Sequence, residues 1–134
     1  MAETHAPIRR PLSPHLGIYR LTLSLVMSGL HRLTGLALVA GIVLITWWLL
    51  AAAAGQNAYG TFEGFATSWI GRVILFGFSW ALLHHLLGGL RYLVWDLGYG
   101  LEPAEREWLV RANIIGSIVA TILLWLLLVM FGMR

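Results

Sequence analysis

The chain has 134 residues, of which 59% are hydrophobic and 11% charged. A soluble domain holds about 45–50% apolar and about 25% charged residues, so composition excludes that class and points to a small integral membrane protein. The nine basic residues are all Arg against six acids, for a net charge of +3, and no Cys is present, which removes disulfides, thiolate metal sites and cysteine nucleophiles.

The N-terminal stretch is polar and broken: Pro7, Pro11 and Pro14 interrupt any helix, and Arg9, Arg10, His15 and Arg20 keep it at the water. Its lack of an apolar core near Met1 gives no sign of a cleaved leader. A helix is expected to begin near Leu21 and to lead into the first uncharged run, Leu33–Ala54. Gly55–Ser68 reads as a loop or interfacial turn, and Val73–Leu90 as a second apolar run interrupted by His84 and His85. Asp96–Arg111 carries Pro103 and most of the acids and reads as a second loop. Ala112–Gly132 is the third run, with Asn113, Ser117 and Thr121 as its polar breaks. With their interfacial turns the spans cover about 25–54, 69–95 and 108–132, each long enough for the roughly 20 residues a bilayer requires. The expected fold is all-α, three transmembrane helices in a single domain spanning 1–134.

Arg9, Arg10, Arg20, Arg32, Arg91, Arg106 and Arg111 gather on one side, Arg72 and Arg134 on the other. Positive residues stay untranslocated, so the N-terminal segment and second loop are expected to face the cytoplasm, or the matrix in an organelle. That accounts for the basic charge without nucleic acid, for which no basic stripe with interleaved aromatics exists.

Polar groups at membrane depth cost free energy unless partnered, which singles out His84 and His85. Adjacent helical positions point about 100° apart, so one of the two can face a given pocket. The His85 face takes in Phe78, Ala81, Gly88, Gly89 and Tyr92, where the two glycines leave room for a flat group against the backbone; the His84 face runs through Gly77, Leu87, Gly88 and Arg91. The imidazole can ligate a haem iron, or hydrogen-bond a neighbouring helix while the glycines pack closely. Spacing weighs these readings evenly. No second His lies in another span at comparable depth, His31 being placed at the cytoplasmic mouth of the first. A bis-histidine haem therefore needs a ligand from another protein. Ser28 and Arg32, one turn apart, form a hydroxyl–guanidinium pair suited to a quinone carbonyl or a carboxylate; the alternative for an isolated pair is a snorkelling interfacial Arg with Ser28 bonded to its own backbone. Arg91, about 9 Å along the helix from His85, stands within reach of a propionate, or is a belt anchor with Tyr92 and Trp95. No triad, carboxylate pair or phosphate loop is present, so the chain is expected to do no covalent chemistry alone.

Taken in order, Arg10-Pro11-Leu12-Ser13-Pro14-His15-Leu16, Tyr19, Ser28-Gly29-Leu30-His31-Arg32-Leu33-Thr34-Gly35 and His85-Leu86-Leu87-Gly88-Gly89-Leu90-Arg91-Tyr92-Leu93-Val94-Trp95-Asp96 resemble the two signatures of the succinate dehydrogenase cytochrome b subunits. The resemblance covers about Arg10 to Arg134 and implies the larger haem-b anchor of respiratory complex II. It implies a heterodimeric helix bundle with a second hydrophobic anchor, holding an iron–sulfur protein and a flavoprotein on the bacterial inner or mitochondrial inner membrane. Electrons from succinate would reach ubiquinone through the iron–sulfur clusters, with no flavin or succinate chemistry on this chain. By the same likeness His85 matches the axial haem ligand, the other axial His belongs to the second anchor, Ser28 and Arg32 match the quinone site, and His31 and Arg32 lie near the propionates. Tyr92 stands where the family often has His, and His84 is an extra imidazole. Competing readings are a haem-free anchor, a fumarate reductase-type anchor using menaquinone, and a small transporter subunit with His84 and His85 as a proton relay.

Overall fold

The structure, a computed structural model, describes residues 21–132, and the expectations attached to Arg9, Arg10, His15, Tyr19, Arg20 and Arg134 lie outside them. Four helices follow one another: α1 (Leu23–Ala54), α2 (Gln56–Thr67), α3 (Trp69–Asp96) and α4 (Pro103–Phe131). Three of these, α1, α3 and α4, are long and apolar enough to cross a membrane. They run up, down and up, with α3 packed between α1 and α4, so the start of α1, the end of α3 and the start of α4 share one end of the bundle.

Local chemistry sets the helix ends. The Thr22 side chain accepts from the Leu25 amide, opening α1 two residues after the expected start near Leu21. Gly55, at φ 102°, ends α1 in a conformation that a side chain resists. The segment after it departs from the expected loop: 56–67 is a helix, because Ala58, Phe62 and Phe65 recur at helical spacing. Phe62 and Phe65 set their rings against Trp47 of α1, each at 5.1 Å between centroids. Ser68 then caps α3, its hydroxyl accepting from the Gly71 amide at 3.1 Å. A Cβ on Gly71 would run into the Phe65 carbonyl, so the tight α2–α3 corner needs glycine there.

The second expected loop is also shorter than read. Only Leu97–Glu102 connects α3 to α4, turning through Gly98 and Gly100 with positive φ, and the Trp95 indole N–H ties the turn by donating to the Gly100 carbonyl at 3.1 Å. Pro103 opens α4, where its missing N–H costs nothing, and Glu105 complements the helix N-terminus. The acids at Glu105 and Glu107 obscure the apolar period, so the sequence pattern alone leaves 103–107 outside the third span.

The interior is polar and the exterior apolar. Buried hydrophobic residues are Met27, Ala51, Ala81 and Val110, against Thr34, His84, Arg91, Asn113, Ser117 and Thr121, while Leu, Ile and Val dominate the exposed faces. In a lipid solvent apolar burial between helices gains little, so close contact of small residues and interhelical hydrogen bonds carry association. Gly41 illustrates the first: a Cβ there would strike the Phe78 ring of α3.

Candidate functional site

The two adjacent histidines part company across α3. His84 lies on the stripe Ala81, His84, Gly88 and Arg91, which is buried against the α4 stripe Val110, Asn113, Ser117 and Thr121. Its Nδ1 stands 3.1 Å from the Ser117 hydroxyl and 3.5 Å from Asn113 Nδ2, which also donates to the His84 carbonyl at 3.3 Å. With no exposed surface, His84 has no access for a macrocycle. Ala81, expected on the His85 face, belongs to this one, and Gly88, expected on both, lies between His31 of α1 and Asn113 of α4. Asn113→Leu removes both of Asn113's cross-helix contacts, and α3–α4 packing is expected to weaken by about 1 kcal/mol, read as a lower thermal midpoint of the detergent-solubilised protein.

His85 turns instead toward α1. Its Nδ1 lies 3.1 Å from the His31 carbonyl and 3.4 Å from the Thr34 hydroxyl. Gly35 makes that approach possible, since a Cβ on it would stand 3.0 Å from His85 Cε1. Donation from Nδ1–H to a carbonyl fixes the tautomer whose Nε2 carries the free lone pair, the arrangement typical of metal-ligating histidine. His85 Nε2 has no hydrogen bond among the described residues, and the residue is half-buried. One turn on, nothing lies within 4 Å of a Cβ built on Gly89, so the half-buried face beside His85 is open.

The structure corrects the depth of His31. Expected away from the depth of His85, its ring stacks on His85 at 4.0 Å between centroids and 6° between planes. Imidazoles that ligate one iron from opposite sides face each other through the macrocycle. These two lie flat together with no room between them, so one iron cannot take both.

Arg91 is 5% exposed and shares the His84 stripe rather than the His85 face. Among the described residues its Nε and Nη1 are buried without a partner, as are His31 Nδ1, His84 Nε2 and Asn113 Oδ1. The Arg91 guanidinium lies 4.9 Å from the Trp95 ring centroid and 5.4 Å from that of Tyr92, contacts that hold the cation but supply no acceptor. A buried guanidinium with unmet donors suits an anionic oxygen. Ser28 is half-buried and Arg32 exposed at the same end of the bundle. Among the described residues the ion pair joins Arg111 to Glu107, leaving Arg32 without a carboxylate. The site therefore presents one free imidazole nitrogen on an open face, with unmet cationic and hydroxyl donors toward one membrane end.

Residues 6–128 match the family of succinate dehydrogenase/fumarate reductase transmembrane subunits. The chain belongs to that family. It is similar to the succinate dehydrogenase cytochrome b556 subunit of Paracoccus denitrificans, 52% identical over 114 residues, which cover 85% of this chain and 88% of the relative. The corresponding subunit of Rickettsia felis is 38% identical over 117 residues, 87% and 91% of the two chains. The mitochondrial cytochrome b560 subunit of Sus scrofa is 41% identical over 96 residues, 69% of this chain and 56% of that one. Membership of a transmembrane subunit family agrees with three apolar helices and makes this a multi-pass membrane chain. Sequence reasoning passed over Thr34, Asn113 and Ser117 at this family member's site. The last two had a signal in the i, i+4, i+8 spacing of Asn113, Ser117 and Thr121, which sets them on one face of α4.

Proposed function

We propose that this chain is the larger haem-b anchor of a succinate:quinone oxidoreductase, a single transmembrane domain with its N-terminal segment and α3–α4 turn facing the cytoplasm. The observation that carries the reading is the His85 ring: Nδ1 is engaged by the His31 carbonyl and Nε2 is left free beside the open Gly89 face. Haem b, shared with a second anchor subunit that would supply another His, would be held by His85, with His31, Arg32 and Arg91 available to pair its carboxylates. When bound it supplies a one-electron redox centre, its potential set by axial ligation, carboxylate pairing and burial.

Ubiquinone is the proposed electron acceptor, bound where Ser28 and Arg32 meet the iron–sulfur protein. Ser28 donates a hydrogen bond to one quinone carbonyl. Arg32 places a fixed positive charge where negative charge develops on the oxygen as electrons arrive, and it needs no reorganisation to do so. Two electrons and two protons convert quinone to quinol, the protons entering from the cytoplasmic side. The flavoprotein oxidises succinate, so this chain contributes binding, orientation and charge rather than covalent chemistry. Its place is the bacterial inner membrane, or the mitochondrial inner membrane in an organelle. The likeness to subunits named for cytochromes b556 and b560 supports the haem.

The test is a dithionite-reduced minus oxidised spectrum of the purified membrane complex. A b-type α-band is expected, and its absence would leave a haem-free anchor as the better account.

A further inference from the structure

One backbone carbonyl in α1 serves more donors than it has lone pairs. The His31 oxygen is the α-helical acceptor for the Gly35 amide. It also lies 2.9 Å from the Thr34 hydroxyl, which donates to it, and 3.1 Å from His85 Nδ1 on the neighbouring helix. Thr34 Oγ1 is itself 3.4 Å from that same Nδ1, so hydroxyl, carbonyl and imidazole form a closed triangle. Thr34 is 2% exposed, so no solvent competes for these groups. A helical Thr often bonds back to its own preceding turn with no further consequence. Here the carbonyl it chooses is the one that orients an imidazole across the helix interface, which makes the hydroxyl part of that imidazole's environment.

We propose that Thr34 is a positioning residue for His85, setting how strongly the His31 carbonyl holds Nδ1–H and hence how electron-rich Nε2 is toward the metal; this rests on the reading of His85 as the haem ligand. Donation from Thr34 draws density from the carbonyl oxygen and weakens its pull on the His85 N–H. The Thr34 oxygen also offers a second, longer acceptor that restrains the ring plane. Without the hydroxyl, the carbonyl accepts more fully from Nδ1–H, the imidazole gains anionic character, and the oxidised iron is favoured. Gly35 and the stacked His31 ring keep the imidazole in place while this tuning acts.

The experiment compares Thr34→Val and Thr34→Ser with the wild type in the intact membrane complex, by redox titration of the haem band and by the low-spin electron paramagnetic resonance signal. Val keeps the shape and removes the hydroxyl, while Ser keeps the hydroxyl and removes the methyl. Expected for Thr34→Val are a haem midpoint moved to more negative potential and a displaced low-spin signal, with Thr34→Ser close to wild type in both. Loss of haem from the Val variant alone supports the same assignment. An unmoved or more positive midpoint in Thr34→Val overturns it, as does a Ser variant displaced as far as Val, which would make the effect one of packing. A haem band that survives His85→Leu would instead strike at the ligand reading, separating the two failures.

Discussion

His85→Leu is expected to abolish the b-type band of the membrane complex, whereas His84→Leu leaves it in place. The two substitutions delete the same chemistry one residue apart, so their contrast isolates direction. His85 holds a free Nε2 on an open face with its Nδ1 tied to the His31 carbonyl, and losing even an outer partner of a metal ligand lowers retention by about 10–100-fold. His84 is sealed between α3 and α4 on Ser117 and Asn113, so its replacement loosens that interface and touches no open face. The difference spectrum, normalised to flavin content so that assembly is counted separately, checks both. A band lost only in His84→Leu would move the ligand by one residue and require α3 to rotate by about 100° relative to this structure. A band kept in both would end the cytochrome role for this span.

That contrast also shows where the sequence was informative. Apolar run length placed the three long helices, because a continuous run of about 20 apolar residues satisfies its own backbone across lipid by coiling into a helix. A helical projection puts Gly88 and Gly89 on the His85 face and Gly88 on the His84 face as well, which favours His85 without settling the choice. Packing separates them: a Cβ on Gly88 would stand 2.5 Å from His31 Nδ1, while one on Gly89 would meet nothing. Which glycine is filled and which is open depends on how α1 sits against α3, and no single-helix period encodes that. His31 was misplaced for a related reason. Its depth relative to His85 follows from the register of α1 against the antiparallel α3, which no residue count along α1 alone supplies. The helical 56–67 segment was hidden by its Gly, Asn and Thr content, which favours turns locally but is overridden by Phe62 and Phe65 docking on Trp47.

Arg32→Leu is expected to lower succinate-driven quinone reduction by about 100–1,000-fold, the range for losing one preorganised donor at a developing oxyanion. Succinate oxidation by an artificial dye that draws electrons before the quinone should stay near wild type. Arg32→Lys should recover part of the loss, since a point charge remains while the planar donor pair is gone. Ser28→Ala should act in the same direction by a smaller factor, as a neutral hydrogen bond is worth about 0.5–1.5 kcal/mol against about 1.5–3 for one from a charged donor. An exposed Arg near a helix end is more often an interfacial anchor, and the two roles give opposite patterns. An anchor that fails weakens insertion of the whole subunit, so dye and quinone activities fall together and the haem band falls with them. A quinone-site residue that fails leaves assembly, haem and dye activity intact and removes only the last transfer. The proposed quinone role predicts the second pattern: Arg32 has no carboxylate partner among the described residues and stands one helical turn from the half-buried Ser28 hydroxyl, so both donors would be available to a single head group.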